Sequence, residues 1–464
     1  FWTDVPSLFP DDGEAVWWEV WLRAGDTQES RQRLLADFRE HSDNIGIQVQ
    51  DPTLEFPDRT VLLAYGTVEQ FSQSVELLDC IAELRRAKEL ASFFTGLSPA
   101  EQKDWIEDLL GRTEWPANDA PAVCILDTGL NNQHPLLEGA VDGKDIQTCD
   151  PAWGAHDHMG HGTEMAGLCL YGDLTPLLAV DVPVHLQHRL ESVKILPPPG
   201  HQLNAPELYG KITEEAVGRA EVVGPKRART VCMAVATADF RDRGLPSSWS
   251  AAVDKVSMGF QDEKKRLIVL AAGNVPREEW GGYPDRNDVD LIHDPGQAWN
   301  ALTVGAYTDK VWLDPEEFPG WAPVAEAGAL GPCSTTSLAW ASQWPNKPDL
   351  VMEGGNAARD PGTGDVDPLD DLQLLTTDGR PLDRLLVATG DTSAATAQVA
   401  RLAAVLMARY PRYWPETIRG LLVHSAQWRP AMENHAGRGD GRRMDRLLRR
   451  YGYGVPDLHR ASWS

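Results

Sequence analysis

A serine that follows a break in an apolar run and opens an alanine-rich helix stands where a nucleophile would gain most from its surroundings. The stretch Val387-Ala388-Thr389-Gly390-Asp391-Thr392-Ser393-Ala394-Ala395 has that form. From Ala395 the spacing of Val399, Leu402 and Leu406 predicts a helix with one buried face. At the start of such a helix the backbone N–H groups are unpaired and the dipole is positive, so an anion developing beside Ser393 would be stabilised. Two readings stand. Ser393 is an ordinary N-cap, the usual role of a serine before a helix, or it is a nucleophile that needs a base, an orienting acid and an oxyanion donor from elsewhere.

Three other segments offer those partners. Ala122 to Leu126 is a buried-strand candidate that runs into Asp127-Thr128-Gly129. The carboxyl ends of strands are where sites gather in open parallel sheets, although a lone Asp there is also a common turn former. His161 lies between Gly160 and Gly162 and opens a helix of small residues. Glycines there let backbone and substrate approach the imidazole closely. The neighbouring His156 and His158 raise a metal reading, but no cysteine or carboxylate cluster has the spacing of a closed site. Leu267 to Ala272 leads into Gly273-Asn274, where the amide N–H₂ faces an oxyanion or simply makes a turn. His134, His293 and His424 are read as structural.

The elements that must position these residues follow from periodicity. From Ala122 onward strands and helices alternate, which predicts an α/β, doubly wound, mainly parallel sheet over residues 122–464. Candidate strands are Ala122–Leu126, Thr230–Ala236, Leu267–Ala272, Ala301–Val304 and Leu385–Ala388; candidate helices are Ser248–Met258, Ala395–Tyr410 and Pro415–Trp428. Pro197–Pro206 and Gly354–Pro381 read as long surface insertions.

Residues 1–96 read as a separate small α+β domain. A strand is expected at Val16–Leu22 with Trp18, Val20 and Leu22 on one face, then a helix at Glu29–His41 through Leu34, Leu35 and Phe38. An extended Ile45–Phe56, interrupted at Pro52, and a strand at Thr60–Tyr65 follow. A helix at Val68–Ala87, with Phe71, Val75, Leu78 and Ala82 in one stripe, completes the set. That order suggests a ferredoxin-like unit. Ser98-Pro99-Ala100-Glu101 is a capping box that starts a helix to about Leu110, and Trp115–Pro121 is polar, so residues 97–121 are expected to form a helical linker.

Taken together, in the order Asp, His, Asn, Ser with a glycine beside each, the four segments resemble the subtilisin-like serine proteases, the subtilases. The resemblance spans roughly residues 120–430. It also covers Leu302-Thr303-Val304-Gly305-Ala306 and Lys347-Pro348-Asp349-Leu350. It implies a serine endopeptidase in which Asp127, His161 and Ser393 form a catalytic triad and Asn274 helps to hold the oxyanion. The segment Met233-Ala234-Val235-Ala236 would bind substrate, pairing with a protein or peptide as an added strand. The same resemblance implies that residues 1–96 are propeptide-like.

Three departures bear on the pocket. Asp391 replaces the usual Gly two residues before the serine, Ala234 and Ala236 replace Ser and Gly, and Glu164 stands where a second histidine is common. Leu291 to Thr308 and Trp344 to Asn356 look most like a bacterial intracellular branch, some of whose members are encoded beside AAA+ ATPases and linked to phage defence. An AAA+ ATPase is therefore an expected partner class, and a fold that stays silent until such a partner acts is the alternative to an active enzyme.

The net charge of −26 argues against nucleic acid and anionic membranes as partners. No stretch is long and apolar enough to span a bilayer. Six scattered cysteines without a CxxC pair fit a reducing cytoplasm. No cofactor is required, although Asp365–Asp371 is acidic enough for a structural calcium; a solvated loop is the simpler reading. The start at Phe1 and the sequence Tyr451–Ala461 suggest a fragment or processed form that continues into a further domain.

Overall fold

Apolar side chains at every second position build the first sheet. In the computed structural model, β1 (Ala15–Leu22) buries Trp18, Val20 and Leu22 against Phe38 of α1 (Gln28–Asn44). β2 (Gln48–Val49) and β3 (Leu54–Glu55) are short pieces along one edge of β4 (Thr60–Thr67), which pairs with β1 over its whole length. α2 (Val68–Ser72) follows, capped by Thr67 and Gln70.

The helix expected to run unbroken to Ala87 is not one element: α2 stops at Ser72, Asp79 and Cys80 are helical again, and β5 (Ile81–Arg86) pairs instead with the free side of β1. An open strand edge is a template for pairing, and here it overrides the helical pattern. The resulting sheet is antiparallel throughout, in the order β2-β4-β1-β5. Strand–helix–strand–strand–helix–strand in that arrangement is the split βαβ topology.

The structure describes residues 1–2, 9–10, 13, 15–23, 27–49, 54–55, 59–73, 79–86, 90–179, 183–313, 317–437 and 441–463. The expected positions Pro52, Phe56, Val75, Leu78 and Ala87 lie outside them.

The first compact unit ends at Glu89 and the second runs from Leu90 to Ser464. The segment expected as a linker therefore belongs to the second unit. α3 (Ala91–Gly96) and α4 (Pro99–Gly111) bury Phe94, Ile106 and Leu109 in its core. The buried Gln102 donates to the Phe94 carbonyl at 2.9 Å and accepts from the Leu385 N–H at 2.9 Å.

The main sheet has its first strand in the middle. β6 (Ala122–Asp127) lies between β8 (Arg189–Lys194) and β9 (Arg229–Met233), with β7 (Ile146–Thr148) beyond β8. On the other side follow β10 (Leu267–Ala271), β11 (Leu302–Thr308) and β13 (Leu350–Glu353), all parallel. The short β12 (Ala329–Leu330) adds antiparallel to β11.

Alternate residues of β6 face opposite cores. Val123 and Ile125 meet α5 (His161–Tyr171) and α8 (Asp391–Arg409), whereas Cys124 and Leu126 meet α6 (Tyr209–Val223) and α7 (Ser248–Ser257). Helices on both faces of a mainly parallel sheet make the unit doubly wound. α9 (Pro415–Ser425) follows, and the helices Pro430–His435, Arg443–Tyr451 and Leu458–Trp463 close the order.

Three elements differ from expectation. β8 reads Arg-Leu-Glu-Ser-Val-Lys, so its charges hide a fully buried strand. Those charges are paired inside: Glu191 accepts from Arg229 at 2.8 Å and from Arg227 at 2.7 Å, and the Lys194 ammonium donates to the His156 carbonyl at 3.0 Å. Leu385–Ala388 is not a strand of the main sheet. β15 (Leu386–Thr389) forms a separate hairpin with β14 (Leu374–Thr377), so this part of the expected surface insertion is buried. Met233 closes β9, and residues 234–236 run on past the last ladder pair.

All six cysteines are free, five buried and Cys149 half-buried. Among the described residues no helix is long and apolar enough to cross a membrane.

Candidate active site

β6 delivers Asp127 to the carboxyl edge of the sheet, at the point where chain order reverses and crevices form. Its carboxylate is fully buried and accepts the Thr128 N–H at 2.8 Å. α5 begins at His161, with Gly160 as N-cap in the left-handed region at φ 100°. Gly162 must lack a side chain, because a Cβ there would sit 2.1 Å from the Gly129 carbonyl oxygen. The missing methyl lets the first turn of α5 close on the β6 loop. It brings His161 Nδ1 to 2.8 and 2.9 Å from the two Asp127 oxygens.

Gly160 offers no side-chain cap, and a buried carboxylate does that work from outside the helix. Asp157 accepts the N–H groups of Met159 at 3.0 Å, Gly160 at 2.9 Å and Thr163 at 2.8 Å, together with the Thr163 and Thr128 hydroxyls at 2.8 Å each. Burial alone would raise the Asp157 pKa, but these bonds hold it below the ordinary value. Sequence reasoning gave Asp157 no role. An Asp three residues before Gly-His with a Thr two residues after is the signal that would have found it.

His161 feels opposing influences. Burial lowers its proton affinity. The Asp127 charge and hydrogen bond raise it, with help from Glu164 and Asp157, and the raising effects prevail, to a pKa of about 9.

Ser393 arrives from the other side. Its helix starts earlier than the sequence suggests, with Gly390 as N-cap, so Ser393 lies inside the first turn and is not the cap. Its side chain is buried and its Oγ donates to the Ala234 carbonyl at 3.0 Å, not to the imidazole. Asn274, past the end of β10, accepts the Thr392 N–H at 3.0 Å and the Thr392 hydroxyl at 2.7 Å through Oδ1. That choice leaves its N–H₂ as the end available to a ligand.

One cleft of about 370 Å³ is lined by Asp127, His161, Asn274, Ser393 and Ala234–Ala236. Met233, expected among the substrate-binding residues, is instead fully buried in the core beneath α6 and α7. The inward phase of β9 dictates that. His293, expected to be structural, forms part of the cleft wall and stacks on Phe240. A larger hollow of about 650 Å³ lies beside His156 and Arg380 and contains neither His161 nor Ser393.

Asp391 adopts φ 68°, the left-handed conformation that a glycine would take at no cost. Burial raises its pKa; against that act Arg277, 3.8 Å from the carboxylate, and the Cys333 thiol. His158 is held at 3.1 Å from the Thr128 carbonyl by Nδ1. In the acidic loop, Asp371 is buried and Asp370 accepts the Thr95 hydroxyl at 2.6 Å. Among the described residues no group of three His, Cys, Asp or Glu side chains is disposed to hold a metal ion.

The model of the subtilase family, Peptidase S8, matches residues 118–454. The chain belongs to the subtilase family. A relative in Sinorhizobium fredii, the uncharacterized protein y4bN, is 28% identical over 237 residues. That match covers 48% of this chain and 53% of the relative, so the chain spans about half the length of the curated relative it matches. The epidermin leader peptide processing serine protease of Staphylococcus aureus is 14% identical, with a TM-score of 0.46 over 97% of this chain and 98% of that one. A lanthipeptide protease is 17% identical, with a TM-score of 0.46 over 81% of this subtilase and 98% of that chain.

Proposed function

We propose that this subtilase is a serine endopeptidase acting on protein or peptide substrates. The observation that carries the reading is the convergence of four separate chain segments on one cleft, with His161 Nδ1 2.8 Å from the buried Asp127. A peptide would lie along residues 234–236 as an added strand. Ser393 Oγ, turned about one bond from the Ala234 carbonyl toward the imidazole Nε2, attacks the scissile carbonyl while His161 takes its proton. The Asn274 N–H₂ and the Ser393 backbone N–H hold the resulting oxyanion. His161 then gives the proton to the leaving amine, and a water molecule repeats the sequence to release the acyl group. Asp127 fixes the ring and stabilises its cation. No cofactor enters this mechanism.

A second reading is favoured by one contact. On that reading Ser393 Oγ, resting on the Ala234 carbonyl, marks a silent fold that a partner, for which an AAA+ ATPase of an intracellular bacterial system is the candidate, must rearrange. A fluorophosphonate probe separates the two. Labelling of the isolated protein that disappears in Ser393→Ala supports the endopeptidase; absence of Ser393-dependent labelling supports the silent form.

A further inference from the structure

His161 is enclosed by more carboxylates than a triad needs. Asp127 comes from β6, Asp157 from the loop before α5, Glu164 from α5 itself and Asp391 from the first turn of α8. Asp127 is the bonded partner, Asp157 is consumed by capping, and Asp391 is turned to Arg277 and Cys333. Glu164 is left without an assigned task.

Its surroundings supply one. Glu164 follows His161 by three residues on the same helix, so the two side chains lie on neighbouring parts of one face. Its carboxylate reaches back over Gly160, where a Cβ would meet Oε1 at 3.4 Å. Its Oε2 accepts the Thr389 hydroxyl at 3.0 Å. Thr389 is the last residue of β15, four positions before Ser393. The same hairpin clasps the backbone of this turn, Thr376 donating to the Glu164 carbonyl and Thr377 to the Thr163 carbonyl, each at 2.7 Å. The helix that carries the imidazole and the strand that leads to the serine are therefore joined through one side chain. That joint does not require a charge, because a neutral amide would accept from Thr389 equally well. A carboxylate there adds something a histidine could not: a negative field beside the ring. The charged groups facing Glu164 are His161, Asp157 and Asp378 of the β14–β15 hairpin; His161 alone among them opposes the burial that disfavours its ionised form.

We propose that Glu164 is a positioning residue for His161, tying the helix of the base to the strand of the nucleophile and placing a second negative charge beside the imidazole. The proposal deepens the endopeptidase reading and rests on it only for its kinetic half. Two variants separate anchor from charge. Glu164→Gln keeps the acceptor and removes the charge; Thr389→Val keeps the charge and removes the anchor. The first measurement is the NMR titration of the His161 ring in Ser393→Ala protein, which needs no catalysis. There Glu164→Gln is expected to lower the midpoint by about one pH unit, and Thr389→Val by less than half as much. A midpoint unmoved by Glu164→Gln overturns the electrostatic role. The second is the pH profile of peptide cleavage, where Thr389→Val should lower kcat several-fold with KM held; an unchanged kcat overturns the anchoring role. If the parent protein cleaves nothing, the endopeptidase reading fails while the titration still decides whether Glu164 acts on His161.

Discussion

Asp127→Asn isolates the interaction on which the proposed chemistry depends most. The carboxylate is fully buried and lies 2.8 and 2.9 Å from the imidazole Nδ1. It is the main reason the His161 pKa stands at about 9 and not at the ordinary 6.5, against a burial effect that acts the other way. Returning the ring to 6.5 corresponds to a loss of about 3 kcal/mol in the stability of the imidazolium. Because 32% of the ring is exposed in the cleft, solvent screens part of that field and the figure is an upper bound. The imidazolium forms in the transition state, so the charge alone is worth up to about 10² in rate. An amide also permits the wrong tautomer, and the combined loss in a triad reaches about 10⁴.

The assay is kcat/KM on an internally quenched peptide between pH 6 and 10. The parent should lose activity below an apparent pKa well above 6.5, and the variant should be slower by 10²–10⁴ with its acid limb displaced downward. Stability has its own sign. A raised histidine pKa contributes stability that is fully present below about 6.5 and is lost as pH rises through about 9. The gap in Tm between parent and variant should therefore be widest below pH 6.5 and narrow above pH 9. A variant within tenfold of the parent rate, with an unmoved acid limb, would refute the assigned role of Asp127.

Three further outcomes follow from the same geometry. Asn274→Ala should lower kcat by about 10²–10³ with little change in KM; an unaltered kcat removes Asn274 from the oxyanion site. Gly162→Ala forces a methyl to within 2.1 Å of the Gly129 carbonyl and should destabilise the fold by about 3 kcal/mol or more, read from urea unfolding. Asp391→Gly trades a left-handed strain of about 1–2 kcal/mol against a loose ion pair with the exposed Arg277, worth under about 1 kcal/mol. Its Tm should hold or rise slightly, and a fall of several degrees would show that the carboxylate carries structural load.

Much of the candidate site was legible because its residues sit at breaks beside a glycine. Asp127 ends β6, His161 opens a helix marked by its small residues, and Asn274 follows the end of β10. What was illegible is equally physical. β8 carries three charged residues, and the partners of its Glu191, Arg227 and Arg229, lie more than thirty residues away, so no local pattern marks it as core. β5 forms because β1 has a free edge, a long-range fact that a helix-like local spacing cannot report. Asp157 escaped notice because it caps α5 from outside the helix, and Met233 because the phase of β9 turns it inward one residue before the cleft begins.

The resting position of Ser393 is the one that a charged His161 would require. A ring with a pKa of about 9 is neutral in only about one molecule in a hundred at pH 7. An imidazolium has hydrogens on both nitrogens and no lone pair to accept a hydroxyl proton. With Nδ1–H given to Asp127, Nε2–H also points outward, and the serine must find its acceptor elsewhere; the Ala234 carbonyl at 3.0 Å is that acceptor. The same carbonyl lies on the segment that an added peptide strand would use. A substrate N–H that claims it would displace the serine, and the desolvation that accompanies binding would favour the neutral ring. Loss of the imidazolium proton and release of Ser393 would then be driven by one event, so that, under the proposed endopeptidase chemistry, a strongly basic histidine poorly suited to act in the free protein at neutral pH would become a competent base once the cleft is filled.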